Sequence, residues 1–142
     1  MEIDKLISYI KMSKKTVFFG GAGVSTASGL QDFRGNNGLY KEKRKYPPEE
    51  ILSHTFFMKH TDLFYEFYKE KLNSLNYKPN IIHKTLKLME DKNLLSSIIT
   101  QNIDGFDKMV GSRNVLELHG SILRNYCLNC HKFYSGEYVF KS

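Results

Sequence analysis

Three segments of the chain carry apolar residues at intervals of three or four, the spacing of one face of an α-helix. The first stripe is Ile3, Leu6, Ile7 and Ile10; the second is Phe64, Phe67, Tyr68, Leu72 and Leu75; the third is Ile82, Leu86 and Met89. The second follows Thr61-Asp62 and the third follows Pro79-Asn80, both of which are typical of helix starts. The pattern predicts three helices, each with an apolar face buried in a core.

Short apolar runs outside these segments predict strands. Residues 16–19 and 97–100 are continuous β-branched and aromatic runs, and residues 115–118 form a third run that leads into His119. The first two runs are typical of strands buried in a parallel sheet, and the third, which contains Glu117, also predicts a strand. Because ligands bind outside the carboxyl ends of strands in open α/β sheets, the residues after each run are candidates for a functional site.

The first strand runs into a glycine-rich turn at Gly20-Gly21, where the backbone and the next helix could receive a pyrophosphate. The spacing departs from the G-x-G-x-x-G fingerprint, since Thr26 stands at the third glycine and Gly29 comes three residues later. An ordinary strand-turn-helix corner therefore remains an alternative. The polar, glycine-rich residues 32–40 that follow predict a loop over the site.

Polar side chains also follow the other two strands. Gln101, Asn102, Ile103 and Asp104 come after the second strand, and His119 ends the third. The first group fits either a ligand site or a capped turn, and a lone histidine after a strand is more often structural than catalytic.

Cys127 and Cys130 are the only cysteines of the chain. A C-x-x-C pair supplies two of the four ligands of a structural zinc site, and a redox pair is the alternative. His131 adjoins Cys130, so its coordination of the same ion would be strained.

The charge and hydropathy of the chain limit the kinds of partner that it is expected to have. The net charge of +6 includes one local cluster, Lys41, Lys43, Arg44 and Lys45, flanked by Tyr40 and Tyr46. A solvated flap explains this cluster better than a nucleic-acid surface, so nucleic acid is an unlikely partner. No apolar run has the length of a membrane span, and residues 1–4 lack the features of a signal peptide. We expect a cytoplasmic protein.

The sequence resembles the sirtuins, which are NAD-dependent protein-lysine deacylases. Residues 21–35 match the sirtuin motif GAGxSxxSGIPDFRG, with Leu30-Gln31 replacing Ile-Pro; Gln101 to Gly105 and His119-Gly120 match two further motifs in the family's order. The resemblance implies an α/β fold with a Rossmann-like parallel sheet and a small zinc-binding module. It places the nucleotide-binding part at 1–120 and the start of the zinc module at 121–142. It also predicts that the 142 residues are an incomplete domain, because a sirtuin core is longer.

The resemblance implies roles for individual residues. The acyl-lysine oxygen attacks the nicotinamide ribose of NAD, nicotinamide leaves, and the acyl group passes to the ribose 2'-hydroxyl, with His119 as the base. Asn102 and Asp104 would orient the ribose and carboxamide, Gln101 would hold a ribose hydroxyl, and Phe33 would shield the cationic intermediate. The implied NAD-binding residues are Ala22, Gly23, Thr26, Asp32, Phe33, Arg34, Gln101, Ile103, Asp104 and His119. Cys127 and Cys130 would be zinc ligands.

Acetylated protein lysines are the implied substrates. Sirtuins that prefer acidic acyl groups tend to carry a tyrosine and, three residues later, an arginine; here Tyr65 is followed by Tyr68, which favours neutral acyl groups. Two alternative functions remain at the level of the sequence: an NAD-binding or ADP-ribosylating relative, and a truncated, non-catalytic sirtuin fragment.

Overall fold

A computed structural model describes residues 2–36 and 38–142. The helices are α1 (Glu2–Met12), α2 (Pro48–Ile51), α3 (His54–Lys59), α4 (Thr61–Lys71), α5 (Ile81–Asp91), α6 (Phe106–Met109) and α7 (Gly136–Lys141), and the strands are β1 (Val17–Gly20), β2 (Ser97–Thr100), β3 (Val115–Glu117), β4 (Arg124–Tyr126) and β5 (Phe133–Ser135). Short 3₁₀ helices span Ala22–Ser28 and Leu39–Lys41.

The three predicted strands form one parallel sheet in the order β1-β2-β3. Val17 pairs with Ser97, and Ile98 pairs with Val115, so the carboxyl ends of all three strands lie at the same edge. One face of the sheet packs on the apolar face of α5; this core comprises Leu86, Leu95 and Ile98, with Phe18, Met89 and Val115 packed against it. The predicted parallel α/β sheet is thereby confirmed.

The opposite face of this sheet differs from the prediction. Val17 is 50% exposed, Phe19 is 60% exposed and Leu116 is 56% exposed. Side chains alternate between the two faces of a strand, and only the face that meets α5 is covered by the described residues. The apolar runs identified strands correctly, but burial on both faces was wrong for this chain.

The helix predicted from the first stripe is present as α1, and its expected burial is wrong. No residue of α1 is buried, and Ile3, Leu6 and Ile7 are all exposed. An amphipathic pattern specifies which face of a helix can be buried, and the burial itself requires a second apolar surface against it.

A second core lies among α2, α3 and α4. Ile51, Phe56 and Phe67 are its buried members, and Phe67 lies on the predicted second stripe. Leu75 falls four residues beyond the end of α4 and is partly exposed, so that stripe is shorter than predicted. This layer places the carboxyl half of α4 beside the edge where the parallel strands end.

The remaining strands form a small antiparallel hairpin, in which β4 pairs with β5 and α7 follows directly. Its tight turn contains both cysteines. None of the helices in 2–36 and 38–142 has the length and apolar character needed to cross a membrane.

Candidate active site

The glycine-rich segment after β1 folds into a 3₁₀ helix. The helix Ala22–Ser28 ends at Gly29, which has a left-handed conformation with φ of 95° and donates its N–H back to the Ser25 and Thr26 carbonyls. Ser25 is the buried member of this helix, with 2% of its surface exposed. The tight winding turns the Ser25 hydroxyl inward toward the end of β2.

The predicted loop over the site is compact. The Leu39 N–H donates to the Asp32 carbonyl at 2.8 Å, and the Tyr40 N–H donates to the Phe33 carbonyl at 2.9 Å. A Cβ at Gly38 would lie 2.5 Å from the Phe33 carbonyl oxygen, so this close approach requires glycine. Leu39 is 1% exposed and anchors the loop. Asn37, which the loop prediction included, lies outside the described residues.

Tyr40 contacts the two side chains of the loop that the sirtuin motif singles out. Its ring lies 5.3 Å from the Phe33 ring, and the Arg34 guanidinium lies 5.5 Å from the Tyr40 centroid. Such a cation-π contact favours one position of a long, flexible cation. Sequence reasoning treated Tyr40 only as a flank of the basic cluster and missed this contact.

Asp104 is the centre of a hydrogen-bond network at the carboxyl end of β2. The Ser25 hydroxyl donates to Asp104 Oδ2 at 2.6 Å, and the Phe106 N–H donates to Oδ1 at 3.0 Å. The Asn102 amide donates to the Ser25 oxygen at 3.1 Å, and the Ser74 hydroxyl donates to the Asp104 carbonyl at 3.1 Å. Both carboxylate oxygens are therefore satisfied, and the network holds Asn102 and Asp104 in fixed positions.

His119 lies two residues beyond β3 and is exposed. Its Nδ1 is 2.9 Å from the Gln101 carbonyl oxygen. A carbonyl oxygen only accepts hydrogen bonds, so we assign the proton to Nδ1. The lone pair is then on Nε2, which is the arrangement that a general base requires.

These residues line two adjoining clefts of about 430 Å³ and 380 Å³. The residues common to both are Ala22, Phe33, Tyr40, Gln101, Asn102 and His119. Ile103 and Asp104 line only the larger cleft, whereas Gly23, Asp32 and Arg34 line only the smaller one. The structure thus brings nearly all of the predicted NAD-binding residues together around His119.

Thr26 is the predicted residue that does not join them. It is exposed and lines neither cleft, and its hydroxyl donates to the Gly23 carbonyl at 2.8 Å within its own 3₁₀ helix. Its contact with a nucleotide stays a prediction. Residues that sequence reasoning assigned only to packing or passed over also line the larger cleft: Leu30, Leu52, Phe64, Lys71, Leu72 and Ser74.

The basic cluster is partly neutralised by carboxylates of its own neighbourhood. Arg44 pairs with Glu70 at 2.8 Å and with Glu42 at 3.0 Å, and Lys71 pairs with Glu42 at 2.7 Å. A hydrogen bond from Lys71 holds the pKa of Glu42 below its usual value, and one from Glu42 raises the pKa of Lys71. These pairs neutralise Arg44 of the cluster, and the solvated flap stays a prediction.

Tyr68, three residues after Tyr65, lines the larger cleft. Its ring stacks on Phe140, with centroids 5.2 Å apart, and packs against Phe64. Burial, with a smaller contribution from Tyr65, raises the pKa of Tyr68 to about 12. The phenol is therefore neutral at ordinary pH.

The two cysteines lie at the turn of the β4–β5 hairpin. The Cys127 N–H donates to the Lys132 carbonyl at 3.0 Å, and the His131 N–H donates to the Cys127 carbonyl at 3.0 Å. Backbone N–H groups of Cys130 and Asn129 and the Cys130 side chain hold the pKa of the Cys127 thiol below its usual value. Within the described residues, no group of three or more His, Cys, Asp or Glu side chains could hold a metal ion.

Asp107 is a buried carboxylate beside this network. It is 6% exposed, and its Oδ1 has no hydrogen-bond partner among the described residues. Burial, with smaller contributions from Asp104 and Glu117, raises the pKa of Asp107 to about 6. The folded protein therefore binds this proton more tightly than the unfolded chain, and the contribution of Asp107 to the free energy of unfolding should fall as pH rises from about 4 to about 6.

We expect Asp107→Asn to remove this fall and to raise the free energy of unfolding at pH 7 by up to about 3 kcal/mol. Urea unfolding of parent and variant at several pH values between 4 and 7 measures the effect. Asp62→Asn, which changes an exposed carboxylate, is the control and should retain the parental pH dependence. A parental slope in Asp107→Asn would contradict the prediction.

The fold and the clefts define a Rossmann-like α/β protein with polar groups gathered at the carboxyl ends of its parallel strands. Residues 21–142 match the Sir2 family, and the chain belongs to this family. The predicted sirtuin resemblance is thereby confirmed.

Similar proteins cover the chain almost completely. Proteins named NAD-dependent protein deacetylase from Clostridium acetobutylicum and Clostridium perfringens are 53% and 51% identical to this chain, each over 143 aligned positions that include 99% of this chain. The chain spans 58% and 59% of the lengths of these two relatives.

Solved structures agree with this relationship. A Sir2 variant with a deacetylated p53 peptide and 3'-O-acetyl ADP-ribose has a TM-score of 0.91 at 41% identity, covering 99% of this chain and 56% of that chain. A Sir2 complex with a p53 peptide and NAD+ has a TM-score of 0.84 at 38% identity, covering 96% of this chain and 53% of that chain.

Proposed function

We propose that the protein is an NAD-dependent protein-lysine deacetylase and that His119 is its base. The observation that carries the proposal is the placement of His119 where the two clefts adjoin, with Nδ1 donating to the Gln101 carbonyl. The names of the relatives and the ligands of the similar Sir2 structures support the same activity.

The residues of the two clefts fit NAD. Arg34 brings a positive charge to the smaller cleft, as a phosphate requires, and Gly23 leaves open space beside it. Asn102 and Asp104 present fixed amide and carboxylate groups at the larger cleft. NAD supplies the ADP-ribose group that accepts the acetyl group as nicotinamide leaves.

His119 takes the hydroxyl proton at Nε2, since Nδ1 is already engaged as a donor. Phe33 belongs to the lining of both clefts, where its ring excludes water from the reacting centre. Gln101 holds His119 in this orientation through its carbonyl oxygen.

We propose neutral acyl groups as substrates. Tyr68 is uncharged, and the Lys71 ammonium in the same cleft is paired with Glu42 at 2.7 Å and with Glu70 at 3.2 Å. A carboxylate on the acyl group would therefore meet no unpaired cation among the described residues that line the larger cleft.

We further propose that residues 121–142 begin a zinc module, with Cys127 and Cys130 as two of its four ligands. The N–H groups that face Cys127 stabilise a thiolate, which is the form that binds zinc. The two thiolates fit one half of a tetrahedral site.

The function is tested by following the reaction of an acetyl-lysine peptide with NAD. The experiment uses the whole protein, meaning these 142 residues together with any chain that precedes or follows them in nature. We expect one nicotinamide and one O-acetyl-ADP-ribose for each peptide deacetylated, and no reaction without NAD. Replacing the acetyl group by a succinyl group should lower kcat/KM by at least about tenfold, the effect of about 1.4 kcal/mol. Nicotinamide release without deacetylation would contradict the proposal and identify an NAD-cleaving relative.

A further inference from the structure

Asn80 connects the amino terminus of α5 to the 3₁₀ helix of the candidate site. Its Oδ1 accepts from the Ile82 N–H at 2.8 Å, which caps α5. Its Nδ2 donates to the Val24 carbonyl at 2.7 Å and to the Ser28 hydroxyl oxygen at 2.9 Å. One amide therefore bridges two segments that are more than fifty residues apart in sequence.

The α5 side of this bridge is held by the core. The Asn80 N–H donates to His83 Nδ1 at 3.2 Å, which completes a capping box. His83 is fully buried, and its ring meets Phe106 edge to face at 5.4 Å. Phe106 is also fully buried, so the cap cannot move independently of the core beneath the site.

The other side of the bridge determines where Ser25 lies. Val24 and Ser28, the two partners of the Asn80 amide, flank Ser25 on the same 3₁₀ helix. The Ser25 hydroxyl in turn joins Asn102 to Asp104. A 3₁₀ helix has weaker internal hydrogen bonds than an α-helix, so its position depends more on such outside contacts.

We infer that Asn80 is a positioning residue for the NAD site: its side-chain amide fixes Val24 and Ser28 and thereby places Ser25 between Asn102 and Asp104. Asn80 lines neither cleft, so it acts through these residues and not by contact with the ligand. The inference rests on the proposed function, because it assigns the network around Asp104 to NAD binding.

Asn80→Asp separates this role from helix capping. Aspartate caps helices as well as asparagine does, and it keeps an acceptor for the Ile82 N–H. It lacks the two amide donors and turns an acceptor toward the Val24 carbonyl. Ser28→Ala removes only one of the two contacts and adds no charge.

Ser53→Ala is the matched control for capping. Ser53 caps α3 by accepting from the Phe56 N–H at 3.1 Å, and it lines neither cleft. This variant should lower the melting temperature and leave NAD affinity unchanged. The comparison therefore separates a loss of helix stability from a loss of site geometry.

We expect the Kd and KM for NAD to rise about tenfold in Asn80→Asp and about threefold in Ser28→Ala. The KM for the acetylated peptide should stay within about twofold, because a single interaction of the NAD side is affected. The measurements are calorimetric NAD titration and steady-state kinetics on the whole protein, with thermal unfolding of each variant.

Parental NAD affinity in both Asn80→Asp and Ser28→Ala overturns the inference. If Asn80→Asp does not fold, the Ser28→Ala result decides alone, and parental NAD affinity in that variant overturns the inference. A parent protein that binds no NAD contradicts the proposed function itself, and the inference falls with it. The two failures are therefore distinguished by the parent titration.

Discussion

Replacing His119 with alanine should reduce NAD-dependent deacetylation by about 10³-fold, the contribution of a general base. The reason is the assigned tautomer: Nδ1 donates to Gln101, so Nε2 is the acceptor for the hydroxyl proton. His119 is exposed, and its removal leaves the core intact, so the melting temperature should change little. Steady-state turnover of an acetyl-lysine peptide by the whole protein measures the loss.

The matched control is His54→Ala. His54 is exposed at the start of α3 and lines neither cleft, so this variant should turn over at the parental rate. A His119→Ala protein that deacetylates at near-parental rate would exclude His119 as the base. Loss of activity in both variants would indicate a general effect of histidine removal rather than a catalytic role.

The sequence predicted the parallel sheet well because its signals are local. The three apolar runs match the observed β1, β2 and β3 to within one residue at each end. The apolar stripe after Asn80 corresponds to α5. Sequence could not predict what covers each apolar face. The exposure of α1 and of Phe19 depends on which other surfaces pack there, and the periodicity of a single segment contains no such information.

In the candidate site, too, local signals could be predicted from the sequence and contacts between distant segments could not. His119, Asn102 and Asp104 could be predicted as site residues because they stand in motifs beside predicted strands. Asn80 was identified only as part of a helix start and Ser25 only as part of a motif, because their roles in the network come from partners 52 to 79 residues away in sequence. Only the crossing of the chain at the sheet edge makes these contacts.

Some signals for the missed residues were present in the sequence. Asn80 stands before an apolar stripe, where an N-cap is expected, so its local role was foreseeable. Ser25 lies inside the glycine-rich motif, and the tight 3₁₀ winding that buries it has no separate pattern from an α-helix start. The long-range bonds of both side chains required the structure.

The other large expected effect is the loss of zinc from the isolated 142-residue chain on treatment with a chelator. We expect the 142-residue chain, prepared alone, to lose zinc to a chelator, because its described residues provide two thiolates and no group of three or more His, Cys, Asp or Glu side chains that could hold the ion. Structural zinc owes its affinity to a complete four-ligand site, and half a tetrahedron left to water binds far more weakly. Metal analysis after chelation should therefore find well under one zinc per chain.

Substitution in the whole protein supplies the complementary test of the proposed zinc module. If Cys127 and Cys130 ligate zinc there, Cys127→Ser should release the ion and lower the melting temperature, since binding of the ion contributes to folding. Ser135→Ala is the control. Ser135 lies at the end of the same hairpin and caps α7 by accepting from the Tyr138 N–H at 3.2 Å, so this variant loses the cap and should retain zinc.

Two outcomes would contradict these predictions. One zinc per chain surviving chelation in the isolated 142 residues would show that two further ligands lie within them. A Cys127→Ser protein with full zinc content would exclude Cys127 as a ligand.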